Sequence, residues 1–115
     1  KLPDDDSFAS VSAKIEVDSK FPERTSVIWT KVVEPKVLVI RIWERGVGET
    51  QGCGTGSSAA AADYLRRTKQ FGVVEVRNPG GTVWVKADGW NLPLTISGEA
   101  RTVYRGSYSI PDGLL

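Results

Sequence analysis

Apolar and polar positions alternate most clearly between residues 26 and 44. Ser26 to Val33 is rich in β-branched and aromatic residues and predicts a strand, with Glu34-Pro35-Lys36 as the turn after it. Val37 to Glu44 repeats with a period of two and predicts a second strand. Leu38, Ile40 and Ile42 share one face, and Glu44 continues that row. Val37, Val39, Arg41 and Trp43 share the other. A carboxylate is therefore expected where this strand leaves the core. Upstream, Phe8, Val11 and Ile15 are spaced three and four apart, which predicts a short amphipathic helix capped by Asp4-Asp5-Asp6-Ser7. Phe21-Pro22 is expected to end it, because the residue before proline avoids helical geometry.

The periodicity changes after residue 56. Ser57-Ser58-Ala59-Ala60-Ala61-Ala62-Asp63-Tyr64-Leu65 predicts a helix of small apolar residues, buried almost all round. Arg66, Arg67 and Lys69 close it, where positive charge suits the helix dipole. Further strands are expected at Val73 to Arg77, Thr82 to Ala87, Leu94 to Ser97 and Val103 to Ile110. Turns at Asn78-Pro79-Gly80-Gly81 and Asp88-Gly89 separate them. The expected fold is α+β: a strongly curled, mostly antiparallel sheet around one central small-residue helix, forming a single domain over residues 1–115.

Composition narrows the chemistry. At 115 residues the chain is one small domain with a modest core. A single Cys and no His exclude an intrachain disulfide framework, a multi-cysteine metal site and any His-based triad within this chain. A formal net charge of +1 gives no reason to expect nucleic acid or an anionic membrane as partner. The longest apolar run in a strand, Val37-Leu38-Val39-Ile40, is far too short to span a bilayer. No signal-peptide pattern opens the sequence.

The candidate chemistry lies between Gly46 and Gly56, where five of eleven residues are glycine. Gly52-Cys53-Gly54-Thr55-Gly56 runs directly into the small-residue helix. A glycine-rich turn there gathers free backbone N–H groups in front of the positive helix end, which favours an anion and a thiolate. The alternative is a small buried thiol beside an ordinary turn. A phosphate loop lacks its Lys after Gly56, and dinucleotide binding fits poorly, since G-x-G-x-x-G is absent and no βαβ unit is expected around the turn. Glu44 and Arg45 precede Cys53 by nine and eight positions. They are either a surface ion pair or, if the glycine loop folds back, an acid and a base beside an anion site. Such a pocket suits a zwitterionic amino acid, with Glu44 for its ammonium and helix amides for its carboxylate. Trp29, Trp43, Trp84 and Trp90 read as sheet packing, and Arg66-Arg67 as a solvated helix end.

The run Glu44-Arg45-Gly46-Val47-Gly48-Glu49-Thr50-Gln51-Gly52-Cys53-Gly54-Thr55-Gly56 resembles the second cysteine motif of diaminopimelate epimerases. Phe21-Pro22-Glu23-Arg24-Thr25 is similar to the family's upstream segment. Pro79-Gly80-Gly81 and Leu94-Thr95-Ile96-Ser97-Gly98 are similar to its glycine hairpin and last strands, so the likeness runs from Phe21 to Tyr108. The resemblance implies a cytoplasmic, cofactor-free isomerase of two similar halves, each a curled sheet round a central helix. Each half gives one Cys to a cleft where LL- and meso-diaminopimelate are interconverted, a step toward lysine and peptidoglycan precursors.

By this resemblance the chain is most of the C-terminal half, with the N-terminal half of the same protein as its partner and a homodimer admitted. Cys53 is then catalytic, without pyridoxal phosphate or metal. Gly54 and Thr55 bind the reacting carboxylate through their amides, and Glu44 and Arg45 bind the distal amino-acid end. Ser26 stands eighteen positions before Glu44, where the family has an Asn that contacts the distal carboxylate. Ser58 stands where the family often has a second, non-catalytic Cys. Two other readings stay open: a racemase of another amino acid, suggested by Ser26, and a non-catalytic homologue that keeps the anion pocket.

Overall fold

A computed structural model describes residues 1–114. Its elements run α1 (Asp5–Glu16), β1 (Val27–Glu34), β2 (Val37–Glu44), β3 (Gly48–Thr50), α2 (Gly54–Thr68), β4 (Gly72–Asn78), β5 (Gly81–Ala87) and β6 (Thr95–Gly98). The six strands form one open, mostly antiparallel sheet in the order β1-β2-β4-β5-β6, with β3 paired to β2. The α+β class expected from the sequence is the observed one.

Strand β2 is the centre of the arrangement. Its apolar row, Leu38, Ile40 and Ile42, is completely buried. It joins Ala60, Ala61 and Leu65 of α2 with Val74, Val76, Val85 and Ala87 of β4 and β5 in one core. One edge of β2 pairs along its length with β1, from Val27 opposite Trp43 to Glu34 opposite Val37. The other edge is divided. Val37 to Val39 pair in parallel with Glu75 to Arg77 of β4, whereas Ile42 to Glu44 pair with Thr50 to Gly48 of β3. The chain leaving β3 therefore passes through the gap between β3 and β4, and α2 begins there.

Helix α1 covers the opposite face of β2. Asp4 caps it by accepting from the Ser7 N–H at 2.8 Å. The Phe8 ring lies edge-on to Trp43 at 6.0 Å, and the Arg41 guanidinium sits 3.9 Å above Phe8. The Trp29 indole donates to Ser12 Oγ at 2.8 Å, and the Trp43 indole donates to Glu16 Oε2 at 2.7 Å. The strand carrying the candidate residues is thus gripped by a helix on each face.

Several expectations are corrected. The buried stripe of α1 is Phe8, Ser12 and Glu16, while Val11 is exposed. Two tryptophan N–H groups face this helix and need acceptors, so polar side chains take the inner positions. The helix stops at Glu16, before Phe21-Pro22, and turns at residues 18 to 24 fill the interval. Helix α2 starts at Gly54 rather than Ser57, because Cys53 caps it. It buries one face only; Thr55, Ala59 and Asp63 are exposed. A crossover was not expected, yet β2 and β4 are parallel neighbours joined through β3 and α2. The short strand β3 was not expected either. The strand expected at Val103 to Ile110 does not form; Val103, Tyr104 and Tyr108 are 89%, 85% and 84% exposed and pair with nothing in the described chain.

Candidate active site

Cys53 sits at the N-cap of α2 with extended backbone, φ −148° and ψ 118°. Its Sγ accepts the Gly56 N–H at 3.3 Å, and its carbonyl accepts the Ser57 N–H at 2.9 Å. A sulfur in this position occupies the place usual for a Ser or Asp cap. Gly54 and Thr55 follow as the exposed first residues of the helix, where backbone N–H groups have no partner within the helix. No acidic residue stands in this first turn, so the helix's own side chains do not offset its positive end.

A cavity of about 600 Å³ opens at this point. Gln51, Cys53 and Gly54 line it together with Asn78, Gly80 and Thr82 of β4, β5 and their turn, and with Glu99 and Arg101. Its floor is polar. Asn78 donates through Nδ2 to Ser57 Oγ at 3.0 Å and to the Val76 carbonyl at 3.3 Å, and its Oδ1 lies 3.2 Å from the same Ser57 hydroxyl. Ser57 itself is fully buried.

The β4–β5 turn is locked against the cysteine loop. Gly80 N–H donates to the Gln51 carbonyl at 2.6 Å. A Cβ at position 80 would lie 2.9 Å from both the Cβ and the carbonyl oxygen of Gln51, so only glycine fits without a shift. This contact closes the gap left where β2 exchanges β4 for β3.

The other expected residues form a second group. Glu44, half-buried at the end of β2, accepts from Thr50 Oγ1 at 2.6 Å. Arg45 is exposed; its N–H donates to Ser26 Oγ at 3.0 Å, and its Nη1 donates to the Glu23 carbonyl at 3.1 Å. Ser26, Glu44 and Arg45 are therefore brought together at one end of the sheet. None of the three lines the cavity beside Cys53, and the link to the thiol runs through Thr50 to Cys53 along the chain. Glu16 holds this group from behind: its Oε1 accepts the Gly46 N–H at 2.8 Å. The Trp43 indole, then the Gly46 amide and the Arg24 guanidinium hold its carboxyl below the usual range, against the opposing effect of burial.

Asn78, Ser57, Gln51 and Glu16 were missed in the sequence. Asn78 did leave a signal, since it continues the buried row Val74, Val76 as Glu44 continues Leu38, Ile40, Ile42. Among the described residues no group of three or more His, Cys, Asp or Glu is placed to hold a metal ion, and no helix is long and apolar enough to cross a membrane.

Comparison with known proteins gives a consistent result. The family model described as Diaminopimelate epimerase matches residues 3–108. A protein of Pseudomonas aeruginosa named diaminopimelate epimerase is 37% identical over 97 residues, covering 84% of this chain and 35% of that protein. The Burkholderia thailandensis protein of that name is 38% identical over 100 residues, with the same two coverages, 84% and 35%. Its namesake in Desulforudis audaxviator is 36% identical over 105 residues, 91% of this chain and 38% of that protein. The chain thus spans little more than a third of the length of the curated relatives it matches.

Proposed function

The chain belongs to the diaminopimelate epimerase family, and from that premise we propose that it supplies one of two cysteines in a cofactor-independent amino-acid epimerase. The observation that carries this reading is Cys53 at the cap of α2, opening on a cavity beside the exposed first-turn residues Gly54 and Thr55. Epimerising an α-carbon needs a base on one face and an acid on the other. In one direction the Cys53 thiolate takes the α-proton, and the electron pair of the broken C–H bond moves into the substrate carboxylate. The amides of Gly54 and Thr55 and the helix end stabilise the charge that develops there. A second thiol, from the half of the protein outside this chain, gives a proton to the opposite face. Cys53 ends as a thiol and its partner as a thiolate, and the reverse direction exchanges their roles.

Glu44 and Arg45 are proposed to bind the distal ammonium and carboxylate of diaminopimelate, with Ser26 beside them. Ser26 Oγ accepts from Arg45, so its own O–H proton remains to be donated to a ligand. The whole protein is read as a cytoplasmic isomerase of lysine biosynthesis. This chain would be most of its C-terminal half, working with the N-terminal half and open to homodimer formation. A racemase of an amino acid without a distal carboxylate is the second reading, favoured by the short Ser26 side chain.

The test is Cys53→Ser in the full-length protein. A Ser hydroxyl is nearly the size of the thiol but far too weak an acid to replace it. Turnover of LL-diaminopimelate and exchange of its α-proton with deuterated solvent are expected to fall by several orders of magnitude, with little change in melting temperature. Near-normal activity would make Cys53 a structural residue.

A further inference from the structure

Glu16 is the last residue of α1 and only 8% exposed, yet it carries a charge onto the face of the sheet. A buried carboxylate is costly unless donors surround it. Here both flanking partners are donors: the Trp43 indole at Oε2 and the Gly46 amide at Oε1, 2.7 and 2.8 Å away. Arg24 lies 3.7 Å from the same Oε1. An acceptor-only group is required between two N–H donors, and a glutamine would turn its own NH₂ toward one of them. The residue type is therefore dictated by what it holds.

What it holds is the turn after Glu44. Gly46 has φ +76°, and the Val47 N–H closes the turn on the Glu44 carbonyl at 3.0 Å. Two successive amides at its apex are each tied to a side chain from the segment between α1 and β1 or from α1 itself: Arg45 N–H to Ser26, Gly46 N–H to Glu16. The α1 end is tied back in turn, since the Thr25 N–H donates to the Glu16 carbonyl at 3.2 Å. We propose that Glu16 is a positioning residue, fixing the turn from which Glu44 and Arg45 meet the distal charged end of the amino-acid substrate. It touches no substrate; it acts through the Arg45-Gly46 backbone. The inference rests on the reading of Glu44 and Arg45 as ligand-binding residues.

The experiment uses the full-length protein, LL-diaminopimelate and three variants. Glu16→Gln keeps the size and removes one acceptor. Its KM is expected to rise about tenfold, the scale of one hydrogen bond to a charged group, with kcat within about twofold. Arg45→Gln reports on the binding pair directly, and its KM should rise at least as much. Trp29→Phe loosens α1 at Ser12 without touching the turn, so its KM should stay at the wild-type value. In parallel, NMR of the Gly46 amide and Trp43 indole protons against pH should show both following one carboxyl that titrates below the usual range, and the dependence should vanish in Glu16→Gln. An unchanged KM in Glu16→Gln with a raised KM in Arg45→Gln overturns the inference. So does an equal rise in Trp29→Phe, which would make α1 a general support. Unchanged KM in both Glu16→Gln and Arg45→Gln overturns the reading of the pair, and the inference with it.

Discussion

Replacing Asn78 by Ala isolates the polar floor beneath Cys53. The side chain makes three contacts, two of them with a Ser57 hydroxyl that is fully buried. Without it, that hydroxyl faces a gap with no side-chain partner. Stranding a buried polar group costs about 1–3 kcal/mol, roughly a 5- to 150-fold loss in the folding equilibrium. A domain of this size has only about 5–15 kcal/mol in total. The companion variant Ser57→Ala should cost less, because Asn78 is only half-buried and keeps its bond to the Val76 carbonyl. Ala also has the better helix propensity, by about half a kcal/mol at this position of α2. The double variant should therefore be more stable than Asn78→Ala alone, since removing the stranded hydroxyl relieves the penalty. Urea unfolding at 25 °C of all four proteins closes the double-mutant cycle, provided the slope with denaturant is constant. Ser58, one residue along, bonds the Gly54 carbonyl at 2.9 Å. If Ser57 turned in the same way to the Cys53 carbonyl, Asn78→Ala would cost under about 0.5 kcal/mol and the double variant would show no relief. That result would refute the claim that the hydroxyl depends on Asn78.

Three further outcomes are expected. The isolated 115-residue chain should not epimerise diaminopimelate, because it holds one Cys and no His; full epimerisation by the purified chain, followed by chiral chromatography, would defeat the two-cysteine assignment. Glu16 titrates below its ordinary value of 4.5 when folded, so its stabilisation is complete above that pH and is lost as pH falls through the lower, folded value. Acid unfolding of Glu16→Gln should accordingly lose part of the steep limb below pH 4.5, and superimposable acid limbs would contradict this. Ser26→Asn should keep or raise kcat/KM for diaminopimelate, by up to one or two orders of magnitude if a donor to the distal carboxylate is restored. Abolished turnover would place Ser26 outside the distal pocket.

Much of this architecture was legible in the residues. The period of two in Val37 to Glu44 located β2 and the burial of its inner row, because a strand beneath a helix buries alternate side chains whatever their neighbours. The helix after Cys53 was legible in its alanines. Its start was not: backbone N–H groups after Cys53 are capped by a sulfur, a role that propensity assigns to oxygen side chains. The stripe of α1 was misread because Ser12 and Glu16 are buried for their acceptors, and those donors lie 17 and 27 residues away. Val103 to Ile110 has the composition of a strand, yet pairing needs a second edge, and composition does not say whether one is present. At the site, the placing of Ser26 at the same sheet end as Glu44 follows from two antiparallel neighbouring strands, whereas its bond to the Arg45 N–H is seen only in the structure. The Asn78–Ser57 floor did not follow, since it depends on β4 crossing over to lie parallel beside β2.

The two-sided grip on β2 divides the labour of the site between two independent supports. α2 and the core set the thiol and its amides, while α1 sets the turn that carries Arg45. On the proposed roles, substitutions at Glu16 and Arg24, unlike those at Ser12, change which molecule is accepted while the thiol end stays as it is. For a protein engineer those roles make the C-terminal end of α1 the place to diversify when a new amino-acid substrate is wanted, and the glycine-rich cap the place to leave untouched. On the same proposed roles, natural variation at that helix end has a route to new specificity that does not pass through loss of chemistry.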